Sequence, residues 1–249
     1  MKTVSLMTAA AALLLSGLAN AAEIKVLSTQ ATEEAYKELV PQFEKASGHK
    51  VTTVFTGTLD LQKRIGAGEM YDLIIMAGPA IDDFIKSGKV VGGSRVDLAK
   101  SGVGAGVPKG APKPDISTTD AFKRALLDAK SICYVEQGAT GIYLKGLLQR
   151  LGIAEQLKAR TKLLPPSNPA AFAVANGEAE IGMTQISEIL PYAGAELVGP
   201  LPAEIGLASV YPAAVATAAK EPDAATALIK FLAGPAAAPV LKAKGLDPV

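Results

Sequence analysis

Ser131-Ile132-Cys133-Tyr134-Val135-Glu136-Gln137-Gly138-Ala139-Thr140-Gly141-Ile142-Tyr143-Leu144-Lys145-Gly146-Leu147-Leu148 is the stretch on which the reading of this chain turns. An apolar β-type run ends at Val135, a small-residue loop with two glycines follows, and the pattern predicts a helix starting near Gly141. Leu144, Leu147, Leu148 and Leu151 then fall at i, i+3, i+4 and i+7, one buried stripe. Where strand, loop and helix meet, unpaired backbone N–H groups and the positive end of the helix dipole converge, a place that suits an anion. Thr140 adds a hydroxyl, and glycine on either side lets a ligand approach the backbone. Taken alone the stretch also reads as an ordinary strand-to-helix turn. Repetition of the device along the chain favours the anion.

Strands alternate with helices from the start. Ile24–Leu27 reads as a strand leading through Ser28-Thr29-Gln30-Ala31-Thr32 into a helix with Tyr36, Leu39, Val40 and Phe43 on one face. Glu33 and Glu34 fit the dipole of its first turn, Pro41 cannot donate to residue 37 and so predicts a kink there, and Gly48 ends it. Val51–Phe55 is a β-branched strand running into Thr56-Gly57-Thr58 and a helix over Leu59–Ile65. Asp72–Met76 is a third strand, apolar after its aspartate, as in a parallel sheet covered on both faces. A short helix around Ile81–Ile85 and a loop at Gly88–Gly93 follow. Val103–Val107 reads as a glycine-rich strand crossing into a second α/β set, and Ser209–Val215 as the return crossing. The glycines at 102, 104 and 106 do not match a dinucleotide-binding pattern. The second set comprises a helix over Asp120–Ala129, the opening stretch, a strand at Lys162–Leu164, a Pro-rich loop containing Ser167, and a strand ending at Gln185. The chain closes with a helix striped by Ala225, Leu228, Ile229 and Leu232, then Gly234-Pro235 and a short Ala-rich helix. Such βαβ units place ligands at the carboxyl ends of the strands.

Residues 1–21 read as a targeting segment, with Lys2 as the positive region, Ala9–Leu15 as the apolar core and Ala19-Asn20-Ala21 as the cleavage site before Ala22. The apolar run is too short to span a membrane, so an exported, soluble, periplasmic protein is expected. The sequence has 25 Lys and Arg against 24 Asp and Glu, and losing Lys2 with the leader balances them. That neutrality leaves no electrostatic footprint for nucleic acid. The one cysteine, Cys133, excludes an internal disulfide and sits in an apolar strand, so an inert buried thiol is expected. The one histidine, His49, lies in a helix-ending turn and reads as solvated. With one His and one Cys, clustered zinc ligands and thiol–His catalysis have little material to work with, and neither metal nor organic cofactor is expected.

In this order and spacing the chain resembles a molybdate-type periplasmic binding protein, the type II solute-binding component of an ABC importer. The resemblance rests on Ile24-Lys25-Val26-Leu27 with its polar loop, and on Tyr71-Asp72-Leu73-Ile74-Ile75 after a Gly-Ala-Gly turn. Thr140-Gly141-Ile142-Tyr143, Asn176-Gly177-Glu178-Ala179-Glu180-Ile181-Gly182 and the tail from Ala227 to Leu246 carry the rest. It implies an α/β fold of two lobes, each a mostly parallel sheet flanked by helices, with residues 22–101 and 208–249 in one lobe and 102–207 in the other. It also implies a monomer that binds a small anion through uncharged donors between the lobes and presents it to a membrane permease. Carried over position by position, the ligand-binding residues are Thr29, Gln30, Ala31 and Thr32, then Gly57 and Thr58, Thr140 and Gly141, Ser167, and Gln185. Ala31 stands opposite the family's serine and Gln185 opposite its tyrosine, so a small organic polycarboxylate competes with a molybdate-like oxyanion as the ligand. Arg64 and Arg95 read as solvated charges that a larger ligand could recruit. No nucleophile–base pairing is visible, so a binding protein is expected in preference to its alternatives, an exported enzyme acting on a small anion or a ligand-sensing partner of a receptor.

Overall fold

A computed structural model describes residues 21–137 and 139–249, and the expected leader lies, apart from Ala21, outside the described residues. In chain order the first elements are β1 (Glu23–Thr29), α1 (Glu33–Ser47), β2 (Lys50–Thr56), α2 (Thr58–Gly66), β3 (Leu73–Ile75), α3 (Gly78–Lys86) and β4 (Val96–Pro108). The middle of the chain forms α4 (Thr119–Asp128), β5 (Ile132–Val135), α5 (Ala139–Arg150), α6 (Ala154–Leu157), β6 (Thr161–Leu164), α7 (Ala170–Ala175), β7 (Ile181–Gln185), α8 (Ile186–Ile189) and β8 (Ala195–Pro200). β9 (Ala208–Val215), α9 (Pro222–Leu232), α10 (Ala238–Ala243) and β10 (Asp247–Pro248) complete it.

Strands β2, β1 and β3 pair in parallel, as do β6, β5 and β7. Two long antiparallel neighbours join these groups. β9 pairs with β3 and with the first half of β4, from Val96 to Gly102. The second half of β4 pairs with β7 and β8. The strand order is therefore β2-β1-β3-β9-β4-β7-β5-β6, with β8 and β10 also on β4. β4 is longer than its sequence pattern predicts, because Asp97, Lys100 and Ser101 interrupt the apolar run although Leu98 and Ala99 are buried. The pattern also leaves β8 and the two-residue β10 unannounced.

The first lobe is packed on both faces of its sheet, as the apolar run in β3 demands. Leu73 and Ile75 turn to one face, with Ile24 and Val26 of β1, Leu39 and Phe43 of α1, and Leu228 of α9. Ile74 turns to the other, with Leu27, Leu61 and Ile65 of α2, and Ile81 of α3. Each side chain of that size is worth about 1.5–3 kcal/mol when taken out of water. Helix α1 runs through the exposed Pro41 and stops at Gly48, which sits at φ 77° and donates its N–H to Glu44 at 2.9 Å. His49 is half-buried, in contrast to its solvated reading, and its Nδ1 accepts from the Ala22 N–H at 3.1 Å. Buried Asp72 ties three segments together: its carboxylate accepts from the backbone N–H of Lys25 at 2.8 Å, Lys220 at 2.7 Å and Glu221 at 3.1 Å.

In the second lobe Leu144, Leu147 and Leu148 of α5 meet Phe122 and Leu126 of α4 over Ile132 and Tyr134. Cys133 turns to the opposite face, among Ala170, Ala173 and Val174 of α7, and burial pushes its thiol up to about 12. An inert thiol follows. Along β4, Val103, Ala105 and Val107 enter this core while Gly102, Gly104 and Gly106 lie on the other face. A Cβ on Gly104 would stand 2.8 Å from Ile186 and 3.0 Å from the Gly199 carbonyl oxygen, and one on Gly106 would stand 3.2 Å from Ile189. The row of glycines is a seat for α8.

Candidate functional site

Three strand ends and the short helix α8 meet in one cavity of about 110 Å³. From the first lobe, Thr29 closes β1 and Gln30 opens the single helical turn that precedes α1. Gly57, extended at φ −71°, is the residue before α2, and Thr58 is its first residue; both line the cavity. The first N–H groups of α2 have no acceptor within the helix, and its dipole adds positive potential there. Thr140, in the first turn of α5, and Gln185, at the end of β7, line it from the second lobe.

The remaining expected residues lie behind or beside this wall. Ala31 and Thr32 are buried beneath it, and the Thr32 hydroxyl donates to the Thr29 carbonyl oxygen at 3.1 Å and shares a 2.8 Å hydrogen bond with the Ser28 hydroxyl. They hold the turn that presents Thr29 and Gln30. Gly141 is hemmed in by backbone: a Cβ there would come within 2.0 Å of the Val135 carbonyl oxygen and 2.8 Å of that of Glu136. Glycine at 141 thus lets α5 start directly against the strand end. Ser167 is exposed in the turn ahead of α7, and its neighbours Pro166 and Pro169 reach the cavity in its place.

Several lining residues carry no sequence signal of their own. Ser187 and Glu188 are brought in by α8, which sits on the glycine row of β4 and beside the Gln30–Thr32 turn of the other lobe. Buried Ser101 holds that helix from the crossing strand, accepting from the Ser187 N–H at 3.3 Å and donating to the Gly245 carbonyl oxygen at 3.0 Å. Ser209 and Tyr211 enter from β9, and Tyr192 from the segment after α8. Alternating glycines in a strand signal a close neighbour, but not which helix supplies it.

Neutral polar groups make up much of the cavity lining. Gln185 Nε2 donates to the Thr140 hydroxyl oxygen at 3.0 Å, which leaves that hydroxyl's proton free to point elsewhere. Gln185 Oε1 and the Ser187 hydroxyl are buried without a partner. A buried polar atom left unpaired costs on the order of 1–3 kcal/mol, so both favour a polar guest. Among the described residues no Lys, Arg or His lines the cavity. Arg64 is engaged by Asp60 at 3.0 Å and Glu69 at 3.2 Å, and Arg95 by Asp82 at 3.2 Å and Asp97 at 2.8 Å, all outside the cavity wall. Ala77, Val135, Pro166, Pro169, Met183 and Pro191 form an apolar wall among the donors.

Three carboxyl groups also line it, in two different states. Glu33 and Glu34 share Lys37, at 2.7 and 3.0 Å, on the partly exposed start of α1. Among the described residues no cation pairs with Glu188. Burial pushes its carboxyl above the ordinary range, opposed by hydrogen bonds from the Thr184 hydroxyl and the Gln185 N–H and reinforced by the charge of Glu33. Burial likewise raises the Tyr211 and Tyr192 phenols, with Glu188 adding to both. Among the described residues no group of three His, Cys, Asp or Glu is placed to hold a metal ion. No helix among them is long and apolar enough to cross a membrane.

Residues 24–247 match the model of the family described as bacterial extracellular solute-binding protein. Among curated proteins, the chain is 34% identical over 232 residues to an aconitate isomerase from Pseudomonas sp., covering 91% of this chain and 88% of that protein. It is 30% identical over 246 residues to the molybdate-binding protein ModA of Azotobacter vinelandii, covering 96% of each. The solved structure of the sulfate-binding protein SubI from Mycobacterium tuberculosis H37Rv superposes with a TM-score of 0.75 at 20% identity, over 92% of this chain and 87% of that one, a likeness of fold. The relatives thus span oxyanion binding and catalysis on one scaffold. On the match over nearly its whole length and on the two-lobed α/β architecture, this chain belongs to the bacterial extracellular solute-binding protein family.

Proposed function

We propose that this protein takes a small organic polycarboxylate, of the size and charge of aconitate, into the cleft between its lobes. The observation that carries the reading is the mixed lining: neutral donors from both lobes interleaved with an apolar wall. A compact tetrahedral oxyanion has no carbon skeleton to lay against Val135, Met183 and the prolines. A polycarboxylate has both a skeleton and several separated anionic groups. In this reading Thr29, Gln30, Gly57, Thr58, Thr140 and Gln185 contact the ligand, while Ala31, Thr32, Gly141 and Ser167 shape the segments that do. Each hydrogen bond to a carboxylate contributes about 1.5–3 kcal/mol, so each of these donors carries roughly 10-fold or more in affinity. The 34% identity to an aconitate isomerase supports the ligand class.

The family supports an exported monomer that closes round its ligand and delivers it to an ABC permease in the membrane of its cell. Donors drawn from both lobes are satisfied together only when the lobes approach, which is the physical basis for closure. Thermal-shift and calorimetric titrations with cis- and trans-aconitate, citrate, molybdate and sulfate test the reading. Aconitate should raise the melting temperature and titrate stoichiometrically, with the tetrahedral anions weaker by at least roughly 100-fold. A preference for molybdate would overturn it and would favour the oxyanion reading that the 30% identity to ModA represents.

A further inference from the structure

We propose that Glu188 is an acid–base residue of the cleft, moving a proton between two carbons of a bound unsaturated polycarboxylate. The inference rests on the polycarboxylate reading above and extends it from capture to chemistry. Its geometric basis is the position of Glu188 on α8, lining the cavity beside Gln185 and Ser187. Those two side chains are each 3% exposed and each has a buried polar atom without a partner, so the wall around Glu188 is built for a polar guest.

The titratable and charged groups that face Glu188 are few. Glu33 and Glu34 come from α1 with Lys37 bound between them, Tyr211 from β9, and Tyr192 from the segment after α8. Among the described residues no His, Lys or Cys lines the cavity as a base. Glu33 and Glu34 are committed to Lys37, whereas among the described residues Glu188 is held by the neutral Thr184 hydroxyl and the Gln185 N–H. A carboxyl raised by desolvation is closer to the operating pH than an ordinary one, which suits general acid–base work.

The step balances within the ligand. In propene-1,2,3-tricarboxylate the methylene carbon loses a proton to the Glu188 carboxylate as its C–H bond breaks. The released pair forms a new C=C bond to the central carbon, and the former double bond's pair spreads over the far carbon and its carboxylate. Glu188 then returns a proton to that far carbon, whose new C–H bond completes the shift. The formula is unchanged, and no oxidant, reductant or co-reactant is needed. Tyr211 and Ser209 also line the cavity, and their hydroxyls are the neutral donors available to a carboxylate that carries transient charge.

Proton NMR of trans-aconitate with the purified protein in deuterated buffer tests this, alongside calorimetry on the same samples. Deuterium should enter the methylene and vinyl positions, with the cis isomer accumulating. Glu188→Gln should bind aconitate within about three-fold of wild type yet exchange at least about 100-fold more slowly. Glu188→Asp should recover part of the rate, and thermal melts establish that both variants are folded. In wild type the rate should fall as pH drops and Glu188 takes up a proton. Binding without exchange in wild type would overturn the role of Glu188 and leave the ligand reading standing. Exchange in Glu188→Gln at the wild-type rate would overturn it as well. Failure of wild type to bind any tricarboxylate would overturn both.

Discussion

Replacing Thr140 by valine asks whether the turn at the head of α5 is a ligand subsite or only a turn. The two side chains have nearly the same volume, and valine costs a few tenths of a kcal/mol in helix propensity. What is lost is one hydroxyl, which accepts from Gln185 Nε2 at 3.0 Å and keeps its proton free for a guest. A hydrogen bond from that proton to a carboxylate contributes about 1.5–3 kcal/mol, so affinity should fall by roughly 10- to 150-fold. The backbone donors of the cleft remain, so binding should weaken and not vanish. The ligand-free protein should also lose some stability, because Gln185, 3% exposed, would have neither amide atom paired. Water entering the open cleft limits that to about 1 kcal/mol, or roughly 2–4 °C in melting temperature. Calorimetry and thermal melts on wild type, Thr140→Val and Thr140→Ser measure both effects, and serine should restore most of the affinity. Equal affinity in the valine variant would remove Thr140 from the site. A lower melting temperature with unchanged affinity would show that the hydroxyl only positions Gln185.

Three further outcomes follow from packing and charge. Asp72→Ala should cost about 3 kcal/mol, or roughly 6–12 °C, since the N–H groups of Lys25, Lys220 and Glu221 lose their common acceptor; a melt within about 2 °C of wild type would refute the clamp. Gly104→Ala should destabilise by about 1–3 kcal/mol and weaken ligand binding, because a Cβ 2.8 Å from Ile186 displaces the helix that carries Ser187 and Glu188; binding unchanged in this variant would separate the glycine row from the site. Glu188→Gln should raise the melting temperature of the ligand-free protein at neutral pH. A carboxyl raised in the folded state favours folding while protonated and loses that contribution as pH climbs from its ordinary 4.5 through the raised value, so the gain should shrink in acid; melts at several pH values would refute the buried-acid assignment if the variant and wild type ran parallel.

The lobes were legible because their signals are local. Leu144, Leu147 and Leu148 announce a buried helix face by spacing alone, and the uninterrupted Leu73-Ile74-Ile75 run requires cover on both sides, which α1 and α9 supply on one and α2 and α3 on the other. The crossing strand was legible only in its second half. Its first half pairs with β9, more than a hundred residues away in sequence, and nothing local distinguishes Asp97 or Lys100 from loop residues. His49 gains its hydrogen-bond partner in the same non-local way, since its Nδ1 accepts from the N–H of Ala22, far off in sequence. Of the residues expected at the site, those ending strands or opening helices reach the cavity, because a strand end must open there. Those a residue or two further on turn inward, as Thr32 does to bond Ser28 and Thr29.

The part of the site that sequence reading passed over is also the part that joins the lobes. Helix α8 is four residues long and carries no periodic stripe to find. It is held in place from outside: Gly104 and Gly106 below it, Ser101 bonding its Ser187 N–H, and the tail turn at Gly245 packed against Ile186 and Leu190. Gly245 sits at φ +76°, a conformation that glycine adopts without strain, and a Cβ there would meet Ser187 N at 3.1 Å. The C-terminal tail of the first lobe therefore braces the helix that presents Ser187 and Glu188 from the second. A displacement of one lobe against the other must move through those contacts. The helix that presents Ser187 and Glu188 to the cleft is thus held by the crossing strand β4 on one side and by the C-terminal tail on the other, so a substitution at Gly104, Ser101 or Gly245 reaches the cavity through α8.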